Sequence, residues 1–286
     1  MRDGRVLDVA TVGREDGIAL VFHHGTPSSL ILFKPFVEAA VSRGLRYISY
    51  SRPGYGNSTR QPDRLVVDCA ADTANLMDQL GADRFYTIGW SGGGPHALAC
   101  AALLPRRVIA ASTITGLAPW DSPNLDWLAG MGKENVEEFT TALTGPDELR
   151  SYLEHETSTF ANVTGDQIIS ALGDVVDDVD KVALRGQFGA FLAESSREAV
   201  RNGFWGWFDD DIAFTRDWGF DLSKIKVHVT VWQGTKDRMV PLTHGRWLAE
   251  RVPGACAHML AEHGHLSLAL RTFGKVLDDL IEAGRG

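Results

Sequence analysis

Three residue types in one order point to nucleophilic acyl chemistry in this chain of 286 residues: a serine, then a carboxylate, then a histidine, each just beyond a short apolar run. Ser91 lies in Gly89-Trp90-Ser91-Gly92-Gly93, preceded by the apolar run Phe85–Ile88 and followed by a helix-like segment. A strand that turns sharply into a helix can hold a serine in strained backbone geometry at a sheet edge, and glycines two positions to either side let strand and helix approach closely. A serine hydroxyl is a weak nucleophile at neutral pH. It needs a base, and the base needs an acid to hold its tautomer. Asp237 follows the apolar run Val227–Gln233 in a polar turn that closes on Pro241, and His265 ends Glu262-His263-Gly264-His265 just before a helix-like segment. His263 is the rival base, and Asp121, beyond the run Val108–Thr113, the rival acid.

The elements that must position these residues alternate in kind. Strand-like runs at Ile18–Phe22, Arg46–Tyr50, Phe85–Ile88, Val108–Thr113, Val227–Gln233 and His258–Leu260 are separated by segments with apolar residues at helical spacing, Ser29–Arg43, Asp63–Leu80, Gly92–Leu104, Thr243–Arg251 and Leu266–Glu282. That rhythm predicts an α/β fold with a mostly parallel central sheet flanked by helices. It breaks after Thr115, and the stretch before Val227 carries helix-like patterns at Asn135–Leu143, Asp147–Glu156, Gly165–Val175 and Lys181–Leu192. A structureless loop of that length does not belong in a compact domain. The expected organisation is a core from 1–116 and 219–286 with a helical cap inserted at 117–218.

With these marks the chain resembles the α/β-hydrolase superfamily, especially its lidded esterase and proline-iminopeptidase-like branch. The resemblance rests on His24-Gly25-Thr26-Pro27, Ser51-Arg52-Pro53-Gly54-Tyr55-Gly56-Asn57-Ser58, the Ser91 turn, the Asp237 turn and the His265 loop, in the family's order Ser, Asp, His. It implies an α/β-hydrolase fold with backbone N–H donors to the oxyanion at Thr26 and Gly92. The implied activity is hydrolysis of a carboxylic ester or related acyl bond of a small, partly hydrophobic substrate through an acyl-enzyme. Aminopeptidase action on an N-terminal proline, and thioester, lactone or C–C bond hydrolysis, share the same three residues, and a receptor-like protein that binds without turnover shares the fold. A serine at the turn departs from the Asp-nucleophile pattern of dehalogenases and epoxide hydrolases. Ser51 stands where many relatives have Asp, so local hydrogen bonding should differ there.

Composition narrows the partners. A net charge of -9 disfavours nucleic acid, whose binding rests on clustered Lys and Arg. No apolar run is long enough to cross a bilayer, no signal-like stretch opens the chain, and the three cysteines are dispersed, so a cytoplasmic protein with buried thiols and no membrane partner is expected. No flavin, nicotinamide or phosphate-loop fingerprint is present, so no cofactor is implied, and the adjacent His23 and His24 point opposite ways on an extended chain, so no metal is expected. Nothing sets the oligomeric state. Trp90 beside the nucleophile and Trp120, Trp127, Trp205 and Trp207 in the insertion are candidates for an apolar substrate pocket. The acidic clusters Asp174 to Asp180 and Asp209-Asp210-Asp211 are expected to be solvated helix ends or caps.

Overall fold

The computed structural model describes every residue except Gly286. Strands β1 (Val9–Val12), β2 (Ile18–His23), β3 (Leu45–Tyr50), β4 (Phe85–Trp90), β5 (Val108–Ile114), β6 (His228–Gly234) and β7 (Cys256–Leu260) form one sheet in the order β1-β3-β2-β4-β5-β6-β7. Only β1 runs antiparallel, pairing with β3. The central strands β2 and β4 are buried along nearly their whole length, as continuous apolar runs covered on both faces must be. Sequence reading misses β1, because its mostly exposed residues lack the alternation that marks a half-buried strand.

Helices α1 (Lys34–Val41), α2 (Asp68–Gln79), α3 (Gly93–Leu103), α10 (Leu242–Arg251) and α11 (His265–Ala283) cover the sheet. The first of these starts later than its periodicity predicts. Pro35 fits the first helical turn, whereas Ser29 is tied by its backbone N–H and its hydroxyl to Ser195. Between β5 and β6 come α4 (Lys133–Thr144), α5 (Pro146–Phe160), α6 (Ile168–Leu172), α7 (Asp178–Ala183), α8 (Gln187–Ala199) and α9 (Trp205–Phe214). The helix predicted over Lys181–Leu192 is two helices, broken at Gly186, whose φ is +74°. Helix α9 falls outside the segments with helical apolar spacing. Its residues are buried nearly all round, aspartates included, so no apolar stripe distinguishes it.

Both hydrophobic clusters of the protein mix sheet residues with residues of these helices, for example Phe22 and Ile88 with Phe188 and Trp207, and Val21 and Ile48 with Phe139 and Phe214. Cys69 and Cys100 are buried as expected, but Cys256 is exposed because it opens the edge strand β7. Among the described residues no helix is long and apolar enough to cross a membrane.

Candidate active site

Ser91, Asp237 and His265 lie beyond the carboxyl ends of the parallel strands β4, β6 and β7, where ligands bind in open α/β sheets. Ser91 follows β4 directly and has φ +55°, a left-handed conformation that costs a residue with a Cβ about 1 kcal/mol. The glycines around it are required by space. A Cβ on Gly89 would strike the carbonyl oxygen of Gly93, and one on Gly93 would strike that of His23. The turn is held from outside by the Ser91 N–H donating to the Ile114 carbonyl at 2.9 Å.

His265 opens α11, and its Nδ1 lies 2.9 Å from Oδ2 and 3.1 Å from Oδ1 of Asp237. Both side chains are almost wholly buried. Asp237 Oδ1 also accepts the N–H groups of Met239 (2.9 Å) and Val240 (2.8 Å), and Oδ2 accepts the Gln233 amide at 2.8 Å. Burial raises the Asp237 pKa, with His265 and the backbone donors pulling the other way. With Nδ1 occupied by the carboxylate, Nε2 is the nitrogen His265 presents for proton transfer. His263 does not compete, since its Nδ1 meets the Ala261 carbonyl at 2.8 Å and it lines neither cavity beside Ser91. Asp121 is exposed and lines neither.

Two cavities meet at Ser91, with Thr26, Pro27, Phe160, Leu172 and Met239 common to both. One continues past Trp90, Ile168, Leu192 and His265; the other past Gly92, Phe139, Tyr152 and Trp207. Among the described residues no protein group accepts the backbone N–H of Thr26 or Gly92, so both remain available to an oxygen in the cavity. Of the five candidate tryptophans, Trp90 and Trp207 line these cavities, whereas Trp120, Trp127 and Trp205 do not. Trp127 is core: its indole donates to the Ala118 carbonyl and it packs edge-on against Phe139. Trp120 packs on Trp127, and Trp205 stacks under the Arg60 guanidinium at 3.8 Å.

The cluster Asp209-Asp210-Asp211 is where the structure departs furthest from expectation. Asp209, Asp210 and Asp211 are all buried. Asp210 forms an ion pair with Arg64 at 2.6 Å and accepts from Tyr55 at 2.8 Å, the Thr26 hydroxyl at 2.6 Å and Arg52. Arg52 in turn donates to the carbonyls of His24 and Gly25 and to the Thr26 hydroxyl. This network fixes the loop that carries the Thr26 N–H. Burial alone would push Asp210 up, but Arg52 and Arg64 hold its carboxyl well below the usual carboxylate range. Its contribution to stability is therefore fully present above that range and is lost as the pH falls below it, through its own lowered pKa. Asp210→Ala should lower stability by about 3–5 kcal/mol, because two guanidinium groups are left buried with no counter-charge, and denaturant titration at neutral pH measures this.

In the other cluster Asp174 and Asp178 are exposed, and Asp180, though fully buried, takes the cap role also expected there. It accepts the N–H groups of His265 (2.8 Å), Leu266 (3.2 Å) and Ser267 (2.8 Å), serving from α7 as the cap that α11 lacks in its own sequence. Gly264 makes room for it, since a Cβ there would meet the Asp180 carboxyl at 2.5 Å. Asp180→Ala should destabilise by about 2 kcal/mol and lower kcat more than it raises KM, as His265 loses its anchor. Asp180→Asn, which keeps one acceptor, should recover part of both; equal kcat loss in the two variants would refute an anchoring role.

The chain is 30% identical over 244 residues to a non-heme chloroperoxidase of Streptomyces lividans, covering 84% of this chain and 81% of that protein. Its fold matches the enol-lactonase of Burkholderia xenovorans with a TM-score of 0.66 at 22% identity, covering 98% of each chain. It also matches an esterase of Exiguobacterium antarcticum with a TM-score of 0.67 at 19% identity, over 99% of this chain and 97% of that one. The family described as alpha/beta hydrolase fold matches residues 18–271, and the chain belongs to that family of enzymes.

Proposed function

We propose that the protein is a serine hydrolase that cleaves a carboxylic ester or related acyl bond of a small substrate through an acyl-enzyme, beneath a helical cap formed by residues 117–218. The observation that carries this reading is His265, paired through Nδ1 with buried Asp237 and sharing a cavity with Ser91 in its strained turn. His265 Nε2 takes the Ser91 proton as Oγ bonds to the substrate carbonyl carbon. The charge arriving on the carbonyl oxygen meets the N–H groups of Thr26 and Gly92, donors each worth on the order of 10²–10³ in rate at such sites. The proton on His265 then passes to the leaving group. A water molecule gives its proton to His265 and attacks the acyl carbon, releasing the acid and restoring Ser91.

The leaving atom must come within reach of His265, so the cavity lined by His265, Trp90, Ile168 and Leu192 accommodates the leaving group. The cavity on the Gly92 side accommodates the acyl part. An alkyl fluorophosphonate tests the reading: it should label Ser91 alone, and a short-chain chromogenic ester should compete with it. Labelling mapped to another serine, or ester turnover that survives full labelling, would overturn it. Acyl esters, thioesters, lactones and prolyl amides offered to one preparation would then rank the scissile bond.

A further inference from the structure

We propose that His96 is a positioning residue for the oxyanion donors, held in a single tautomer by one buried water molecule that it shares with Arg64 and Gln61. This rests on the acyl-enzyme reading above and adds what aims the Gly92 N–H. His96 lies in the first turn of α3, is 1% exposed, and has its Nδ1 2.8 Å from the Gly92 carbonyl oxygen. A carbonyl oxygen only accepts, so Nδ1 carries the proton and Nε2 keeps a lone pair. Burial, reinforced by Arg52, pushes the His96 pKa down to about 4, so the ring stays neutral in this form near pH 7.

Nε2 is buried, and among the described residues no protein group donates to it. Two further buried atoms lack a protein partner in the same way, Arg64 Nε and Gln61 Oε1, and all three residues line one small cavity between the end of β3 and α2. The space open to the centre of a water molecule there is about 10 Å³, the room that one water takes. The three atoms are one donor and two acceptors. They match a water whose oxygen accepts from Arg64 and whose two hydrogens go to Gln61 and His96, the number of bonds that a buried water commonly makes. Polar atoms in a dry core are strongly disfavoured without a bond, and three in one cavity call for a shared partner.

The surroundings give this water a role. On one side Arg64 pairs with Asp210 at 2.6 Å, and Asp210 accepts the Thr26 hydroxyl at 2.6 Å. On the other side His96 holds the Gly92 carbonyl. Thr26 and Gly92 are the residues whose N–H groups are offered to the acyl oxygen, so a single water joins the supports of both donors. Gly92 depends on such a hold. It has no side chain to anchor it, and none fits, because a Cβ there would strike Thr26 Oγ1. With its carbonyl held, rotation about the Gly92 backbone is restricted and its N–H stays aimed where negative charge develops. His96 itself lines neither cavity beside Ser91, so it acts through Gly92.

Three variants separate the two edges of the ring. His96→Asn keeps a donor near the place of Nδ1, His96→Gln keeps an amide near the place of Nε2, and His96→Phe keeps the ring with neither. For a neutral ester, kcat should fall by about 10–100-fold in His96→Phe and His96→Gln and by less than about threefold in His96→Asn, within the 10²–10³ that an oxyanion donor supplies. KM should change by less than about twofold in all three, because the donors act on the transition state. Inhibition by a phenylboronic acid, whose adduct with Ser91 puts a charged oxygen in the same place, should weaken by the same factor as kcat. A merely structural role makes kcat follow the loss of melting temperature across the variants. That ranking, or equal kcat in His96→Asn and His96→Gln, would overturn the positioning role, and this contrast survives even if His96→Phe does not fold. In the wild type, ring nitrogen shifts should place the His96 proton on Nδ1, and the Arg64 Nε–H should show a nuclear Overhauser effect to water. A proton on Nε2, or no such effect, would remove the water. A wild type that neither hydrolyses esters nor binds the boronic acid would remove the acyl-enzyme reading instead.

Discussion

Ser91→Ala is expected to lower kcat by about 10⁴–10⁶, leaving only the background that binding and oxyanion stabilisation provide. The same substitution should change stability by no more than about 0.5 kcal/mol. Ser91 is half-buried in a turn held by its own backbone N–H and by close glycine contacts, and its hydroxyl takes no part in the packing of either cluster. Alanine keeps the Cβ and therefore keeps the cost of a φ of +55°. Glycine does not. Ser91→Gly should be as inactive as the alanine variant yet more stable than the wild type, by about 1 kcal/mol less the entropy cost of glycine in the unfolded chain. Thermal melts beside single-turnover acid release measure both arms. Activity above about a tenth of wild type in either variant would remove Ser91 from the chemistry.

How much of this was legible beforehand follows a physical line. The sheet could be read because β2, β4, β5 and β6 are apolar runs bounded by turn residues, and a buried parallel strand has little else it can be. Ser91, Asp237 and His265 could be read because each sits at a strand end with a distinctive local neighbourhood. What could not be read is the support around them, since it is made of long-range polar contacts. Asp210 and Arg52 are 158 positions apart, and Asp180 and His265 are 85 apart. An aspartate run such as Asp209-Asp210-Asp211 favours water in the absence of partners, and its sequence does not show that Arg52, Arg60 and Arg64 converge on it. The mixture of Trp205, Trp207 and Phe208 with three aspartates within α9 was the one available signal, because a solvated helix end has no use for so many aromatic residues.

Asp237→Asn should lower kcat steeply, by up to about 10⁴, and the contacts around Asp237 say why. Oδ1 accepts two backbone N–H groups, from Met239 and Val240, so an asparagine at 237 must keep its carbonyl oxygen there. Its NH₂ then occupies the place of Oδ2, facing Nδ1 of His265 and the amide nitrogen of Gln233. Gln233 cannot turn to accept it without losing the bond its nitrogen makes to the Val240 carbonyl at 2.6 Å. The new NH₂ donates to His265 instead and forces the imidazole proton onto Nε2. That tautomer has no lone pair with which to take the Ser91 proton, so catalysis fails while the fold survives. Asp121→Asn, at an exposed position outside both cavities, should alter kcat by no more than about twofold. Nitrogen-resolved NMR of the His265 ring should show the proton on Nδ1 in the wild type and on Nε2 in Asp237→Asn. A larger kcat loss for Asp121→Asn, or an unchanged tautomer beside full loss of activity in Asp237→Asn, would assign the orienting acid elsewhere.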